Sequence, residues 1–178
     1  DSYLYRHLLI HMFTLEGNSY ESRGVLKLED REVSSSEYEI LKELGRAASL
    51  CNDAALREND GFWTPEGDPM ETSLLAFSHK ILLDANQIKI AWHRRDAIPF
   101  DAKNRFMATL HHNHDSDAFV FVKGAPEQLL SMCKNQRSND YKTEALNTAY
   151  WQKKAEDMAE IGQRVLAFAI KSVPPSQT

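Results

Sequence analysis

Cysteine is nearly absent from this sequence: Cys51 and Cys133 are the two among 178 residues, and they form neither a CxxC pair nor a zinc-ligand spacing. That excludes a disulfide framework and fits free thiols in a reducing compartment. Glycine is scarce too, at 7 residues. Neither G-x-x-x-x-G-K-[ST] nor G-x-G-x-x-G occurs, so a P-loop and a Rossmann phosphate cradle are both excluded. No apolar run approaches the ~20 residues that a membrane-crossing helix needs, and no signal-peptide core follows Asp1-Ser2-Tyr3. The missing initiator Met is what a processed chain or an excised piece would show. Positive charge is not in excess either: Lys+Arg is 21 against Asp+Glu 26, a net charge of −5. This balance argues against nucleic acid as a partner, while leaving room for a local basic pocket.

What remains is the composition of an ordinary globular protein, 42% hydrophobic and 26% charged, too apolar for disorder. The length suits a single domain over residues 1–178, and such a domain buries roughly 70% of its unfolded surface without staples. Tyr3–Met12 is apolar and fits either a strand or a docking helix. Gly17–Tyr20 and Ser22–Gly24 read as turns, and Val25–Leu28 as a short strand. Ser36 with Glu39 has capping-box spacing, and the apolar period Tyr38, Leu41, Leu44, Ala48 predicts a helix over Glu37–Cys51. Phe62-Trp63-Thr64 follows an Asn-Asp-Gly turn and starts a short strand. Asp68 as N-cap, Pro69 at the first helical position and Glu71 in the first turn announce a helix to about Leu83. Pro99 keeps Ile98-Pro99-Phe100 extended. Phe106–His111 and Ala118–Val122 flank a polar stretch and predict a β-hairpin. A loop of 112–117 pairs Lys123 with Phe106, whereas a loop of 112–116 pairs Lys123 with Arg105. The second register, which puts both cations on one face, is the one expected of a pocket for an anion. A short helix over Pro126–Met132, a long one over Thr143–Ile161, a buried strand over Val165–Ile170 and an exit linker over 173–178 complete the chain. The sum is an α+β fold, an antiparallel sheet flanked by helices.

Few residue groups carry chemistry. His111, His112 and His114 with Asp115 and Asp117 have metal-ligand types, but they fall in a hairpin loop with no second ligand segment, so a solvated turn is the favoured reading and no metal site is expected. Cys51 ends a helix, where no thiolate is stabilised. His93-Arg94-Arg95 reads as a solvated charge cluster. Lys123-Gly124-Ala125-Pro126-Glu127 differs: a cation, a glycine that admits close approach and a helix start together make an anion or nucleotide contact.

That run resembles the KGAPE motif of the nucleotide-binding (N) domain of P-type ATPases. Other segments agree in order. Gly67-Asp68-Pro69-Met70-Glu71-Thr72-Ser73-Leu74-Leu75 is similar to the family's GDPTE-x-ALL helix start. Ile98-Pro99-Phe100 with Arg105-Phe106-Met107 is similar to IPF-x4-[KR]-x-M. Gly162-Gln163-Arg164-Val165-Leu166-Ala167 is similar to G-x-RVLA, and Leu50-Cys51-Asn52-Asp53 to the LCND helix end. The resemblance spans Leu50 to Ala169 and has the flavour of calcium-pump-like and sodium/potassium-pump-like members. The family's phosphorylated aspartate motif, DKTGT, does not occur, nor do the other phosphorylation-domain motifs.

The resemblance implies an ATP-binding domain of a cation-transporting pump, cytoplasmic in an integral membrane protein. ATP or ADP would be its ligand (Mg-ATP in the parent), and the phosphorylation and actuator domains its partners. The isolated piece would be monomeric, bind ATP and not turn it over, with no catalytic residue of its own. Phe100 would stack on adenine, and Lys123 would line the pocket as a cation. Gly124 would let the ring approach. Glu71 would accept from the adenine amino group or a water, and Arg164 would reach a phosphate oxygen. Arg105 occupies a position where many members carry Lys. Each residue also has a plain structural reading: Phe100 covering a sheet edge, Glu71 as a first-turn acid, Arg164 as a strand-end cation. The rival function is a nucleotide-independent regulatory or interaction domain of the same fold.

Overall fold

Asp68 caps a helix, as its place before Pro69 predicts. Its carboxylate accepts the backbone N–H groups of Met70 (2.8 Å) and Glu71 (3.2 Å), two of the donors that a helix start leaves open. In the computed structural model, which describes residues 3–6, 12–17, 20, 24–82, 85–115, 117–138 and 141–174, this helix is Pro69–Ile81. The chain forms two units, Asp1–Lys89 with Arg137–Lys142, and Ile90–Gln136 with Thr143–Thr178.

In the first unit β1 (Tyr3–Arg6), β2 (Met12–Glu16), β3 (Val25–Leu28) and β4 (Arg31–Glu32) form an antiparallel meander in chain order. The described ends of the Tyr3–Met12 segment are thus strand. The turns expected at Gly17–Tyr20 and Ser22–Gly24 lie largely outside the described residues. Phe13 stands opposite Leu28 and Leu15 opposite Leu26. All four are buried, because alternate residues of a strand share a face. Helix α1 (Glu39–Leu50) buries Leu41, Gly45, Ala47, Ala48 and Leu50. Ala55–Asn59 (β5) and Phe62–Glu66 (β6) form a hairpin. Its turn residues Asp60 and Gly61 both have positive φ, 53° and 82°, the signature of a type I′ turn. The Pro69 helix is α2, and it packs on α1: buried Ser78 donates its hydroxyl to the Gly45 carbonyl at 2.8 Å. Cys51 follows α1 and is buried. Helix α3 (Ala85–Ala91) follows α2 in the chain.

The capping box is not formed. Ser34–Ser36 offer competing hydroxyls, and Ser35 bonds the Ile81 carbonyl at 2.7 Å. Ser35–Glu37 therefore winds into a 3-10 turn capped by Ser34. Helix α1 starts only at Glu39, behind Tyr38, which makes no side-chain cap.

His79, in the last turn of α2, lies edge-on to Trp63 with ring centroids 5.1 Å apart. Burial first, and the nearby Lys89 second, hold its imidazole below the ordinary value of 6.5. The fold therefore favours neutral His79, and the unfolded chain binds more protons as pH drops. This stabilisation is complete above 6.5 and is lost as pH falls through the folded value. Replacing His79→Gln should flatten the decline of Tm between about pH 7 and 5. A variant with the wild-type slope would show that His79 contributes nothing to acid sensitivity.

The second unit is built on β7 (His93–Asp101), β8 (Phe106–His112), β9 (Ala118–Gly124) and β12 (Ala167–Val173), ordered β12-β9-β8-β7 and antiparallel throughout. Between β9 and β12 come α4 (Pro126–Met132), β10 (Asn135–Arg137), β11 (Thr143–Ala145) and α5 (Thr148–Glu160). Met107, Thr109 and His111 on β8 face Lys123, Phe121 and Phe119 on β9 across the ladder. All of these but Phe119 are buried, so this face carries the unit's core. His111 Nδ1 lies 3.2 Å from the Trp92 carbonyl; a carbonyl only accepts, so Nδ1 is the donor of this contact. Mixed helices and antiparallel sheets bear out the α+β class.

Elsewhere the structure corrects the expectations. The long helix does not start at Thr143. Thr143–Ala145 is strand, and Asn147 caps α5 by accepting the Tyr150 N–H at 3.1 Å. The last strand runs on to Val173, opposite Ala118, which takes the first residue of the expected linker into the sheet; residues 175–178 lie outside the described ones. Neither expected hairpin register occurs. His112 pairs with Ala118 and Lys123 with Met107. The reason lies in the two turns. Asn113 closes the loop, its Oδ1 accepting from Asp115 N (3.0 Å) and Asp117 N (2.8 Å). At the other end, Asp101 accepts the N–H groups of Lys103 (2.9 Å) and Asn104 (3.0 Å) on its side chain and that of Arg105 (2.7 Å) on its carbonyl. Arg105, at φ 55°, is thereby a turn residue and not a ladder partner of Lys123.

Candidate functional site

Four strand ends meet at one end of the second unit's sheet. Asp101 at the close of β7 pairs with Phe106 at the start of β8, Phe106 with Gly124 at the close of β9, and Gly124 with Ala167 at the start of β12. Antiparallel order makes these ends coincide. It carries Phe100, Arg105, Lys123 and Gly124 to one place, with Arg164 entering three residues ahead of Ala167.

Phe100 sits in an irregularity of the β7–β8 ladder between Ile98 and Asp101. It is 61% exposed, whereas Phe121 of the same sheet is 0%. Ile98 is exposed as well. A ring on an edge strand with most of its surface in solvent contributes little to the core and is available for stacking. Lys123 is buried, at 3%, opposite Met107 on one side and Phe168 on the other. Such burial on a strand shared with Phe121 is unusual for lysine, whose amino head almost always reaches water. Arg164 is exposed, on the approach to β12.

Gly124 is crowded by the chain itself. A Cβ there would lie 2.4 Å from the Arg105 carbonyl oxygen and 2.8 Å from both Cα and Cβ of Phe106. The next residue, Ala125, donates its N–H to that Arg105 carbonyl at 3.0 Å. Thus the close approach that requires glycine is that of the β8 backbone. The Arg105 side chain, half exposed, forms an ion pair with Glu127 in the first turn of α4 at 2.6 Å. Sequence reasoning assigned Glu127 to the helix start alone; its signal was its place in the same KGAPE run as Lys123.

Glu71 belongs to the first unit. It is half-buried in the first turn of α2, and its Oε2 accepts the Asp53 N–H at 2.9 Å. Its backbone carbonyl accepts from the Asn52 side chain at 2.8 Å. Asn52 also donates to the Ala48 carbonyl at 3.1 Å, and its Oδ1 accepts from Ala54 N at 2.9 Å. The Cys51–Ala54 turn is therefore tied to α2 through Asn52 and Glu71. Among the described residues no set of three or more His, Cys, Asp or Glu side chains is arranged to hold a metal ion. None of the described helices is long and apolar enough to cross a membrane.

Comparison with known proteins follows the same lines. The family model described as "P-type ATPase, cytoplasmic domain N" matches residues 40–178. The cation-transporting ATPase pma1 of Synechocystis sp. is 36% identical over 137 residues, 76% of this chain and 15% of that protein. The potassium-transporting ATPase alpha chain 2 of Rattus norvegicus is 31% identical over 149 residues, covering 75% and 14%. The calcium-transporting ATPase of Bacillus subtilis is 28% identical over 114 residues, covering 64% and 13%. The chain thus spans about one-seventh of the length of these relatives. A match over most of the chain, on an α+β fold whose KGAPE run closes the central strand β9, shows that the chain belongs to the family of P-type ATPase cytoplasmic N domains.

Proposed function

We propose that this chain binds ATP and presents it to a phosphorylation domain of a cation-transporting P-type ATPase. In that parent, the γ-phosphoryl group passes to an aspartate outside this chain, with Mg²⁺ held largely there too. Such a step depends on positioning and electrostatics more than on chemistry by the N domain. The observation that carries the reading is the exposed Phe100 ring at the sheet end shared with Arg105, Lys123, Gly124 and Arg164. Phe100 stacks on adenine, Lys123 lines the pocket as a cation, and Arg164 reaches a phosphate oxygen. Glu71 is a further candidate, by the resemblance, for the adenine amino group or a bound water. The parent is an ion-translocating ATP hydrolase of a membrane, and this domain is cytoplasmic in it.

A pocket with no P-loop and no cage of metal ligands gives modest affinity, a Kd on the order of 0.1–10 mM. ADP should bind within a few-fold of ATP, since the base supplies most of the contact. Phe100→Ala should weaken ATP binding by about 1–3 kcal/mol and leave circular dichroism unchanged, because the ring is exposed. NMR titration with ATP is the measurement. No shift change at ATP concentrations well above that range, or an unaltered Kd in a folded Phe100→Ala variant, would defeat the proposal.

A second reading has its own support. The packing of β8 against Gly124 and the Glu71–Asp53 bond give both residues structural work without any nucleotide. On that reading the chain is a nucleotide-independent interaction domain, and the same titration separates the two.

A further inference from the structure

Resting on the ATP reading above, we infer that Glu127 is a positioning residue that holds Arg105 in reserve and yields it to the phosphates of a bound nucleotide. The backbone of Arg105 is fixed from three directions. Its N–H bonds the Asp101 carbonyl at 2.7 Å, its carbonyl accepts from Ala125 N at 3.0 Å, and its φ of 55° is set by the turn. What is left free to choose a partner is the side chain, and that side chain pairs with Glu127 at 2.6 Å. Glu127 itself is fixed in position by α4, whose first residue is Pro126.

Both partners are about half exposed, at 51% and 53%. An ion pair so open to water contributes little net stability, because each charge is nearly as well solvated apart as together. Its effect is on occupancy. A guanidinium held by one carboxylate is not disordered in solvent, and a triphosphate offers the same planar fork more charge and more acceptor oxygens. Exchanging the carboxylate for phosphate oxygens thus proceeds without a large penalty. Adenosine carries no such oxygens and leaves the pair closed. Glu127 thereby makes Arg105 responsive to phosphate while leaving recognition of the base to Phe100.

The test is a titration of the wild-type chain, Glu127→Gln, Arg105→Gln and the double variant with ATP and with adenosine. Removing the competing charge should tighten ATP roughly threefold to fivefold, the scale of an exposed pair, and leave adenosine unchanged. In the Arg105→Gln background the Glu127→Gln change should have no effect on ATP. An equal gain for adenosine, a gain that persists without Arg105, or no gain at all would each overturn the inference. A readout independent of nucleotide is the Arg105 Nη1–H signal, the donor to Glu127, which should lose protection from solvent exchange in Glu127→Gln; unchanged protection also overturns it. If the wild-type chain binds neither ligand while that signal responds, the ATP reading fails and the parking of Arg105 by Glu127 stands.

Discussion

Truncating Phe121 to alanine should destabilise the second unit by about 3–5 kcal/mol, the range for a phenylalanine removed from a packed core. Phe121 is fully buried on β9. Its ring centroid lies 5.8 Å from that of His111 and 6.4 Å from that of Phe119, and Phe119 in turn meets Trp92 at 5.4 Å. The cavity would open between strand neighbours that are themselves held by ladder bonds to β8 and β12, so it cannot collapse. A melting temperature lower on the order of 10 °C is the expected result. Phe100→Ala provides the contrast: the same chemical change on an exposed ring should stay within about 0.5 kcal/mol of wild type. If thermal denaturation ranked the two variants the other way, the assignment of one ring to the core and the other to solvent would be wrong.

Gly124→Ala should cost about 3 kcal/mol, at the upper end of overpacking, although it adds a single methyl group. Its φ is ordinary; space is the difficulty. The Cβ would fall 2.4 Å from the Arg105 carbonyl oxygen, and the colliding atom is backbone, which cannot rotate away. Relief requires β8 and β9 to part at this end, which breaks the Ala125–Arg105 hydrogen bond and leaves both groups to find other partners. ATP binding should fall along with stability, since Arg105 is displaced. Gly162→Ala is the comparison. Gly162 follows α5 at φ 78° with nothing within 4 Å of where a Cβ would stand, so alanine there pays only the left-handed backbone cost, roughly 1–2 kcal/mol. Chemical denaturation showing Gly124→Ala milder than Gly162→Ala would contradict the crowding.

Local chemistry was legible wherever one residue type has one strongly preferred place. Asp68 before Pro69 caps α2, Pro126 starts α4, and Gly162 follows α5. Where neighbouring residues offered equivalent groups, local reading failed. Three serines preceded α1, and the tertiary bond from Ser35 to Ile81 selected among them. Thr143–Ala145 has no local feature barring helix, and pairing as β11 overrode the helical pattern.

The candidate site divides the same way. By itself the sequence determined which residue types are present and their order. These include an aromatic after Pro99, a cation before Gly124, a further cation at Arg105 and an acid in the first turn of α2. That order was enough to reveal family resemblance and the α+β class, because caps, turns and apolar periods act over a few residues. Only the tertiary structure decided what each residue touches. Register is set by the turns at both ends of a hairpin, and a slip of one residue moves every side chain to the other face. Asn113 and Asp101 set it here, pairing Lys123 with Met107 and turning Arg105 toward Glu127. The fold likewise decided that Gly124 yields to the backbone of Arg105 and Phe106, a constraint between strands that no sequence spacing encodes, since it depends on how closely two chains approach.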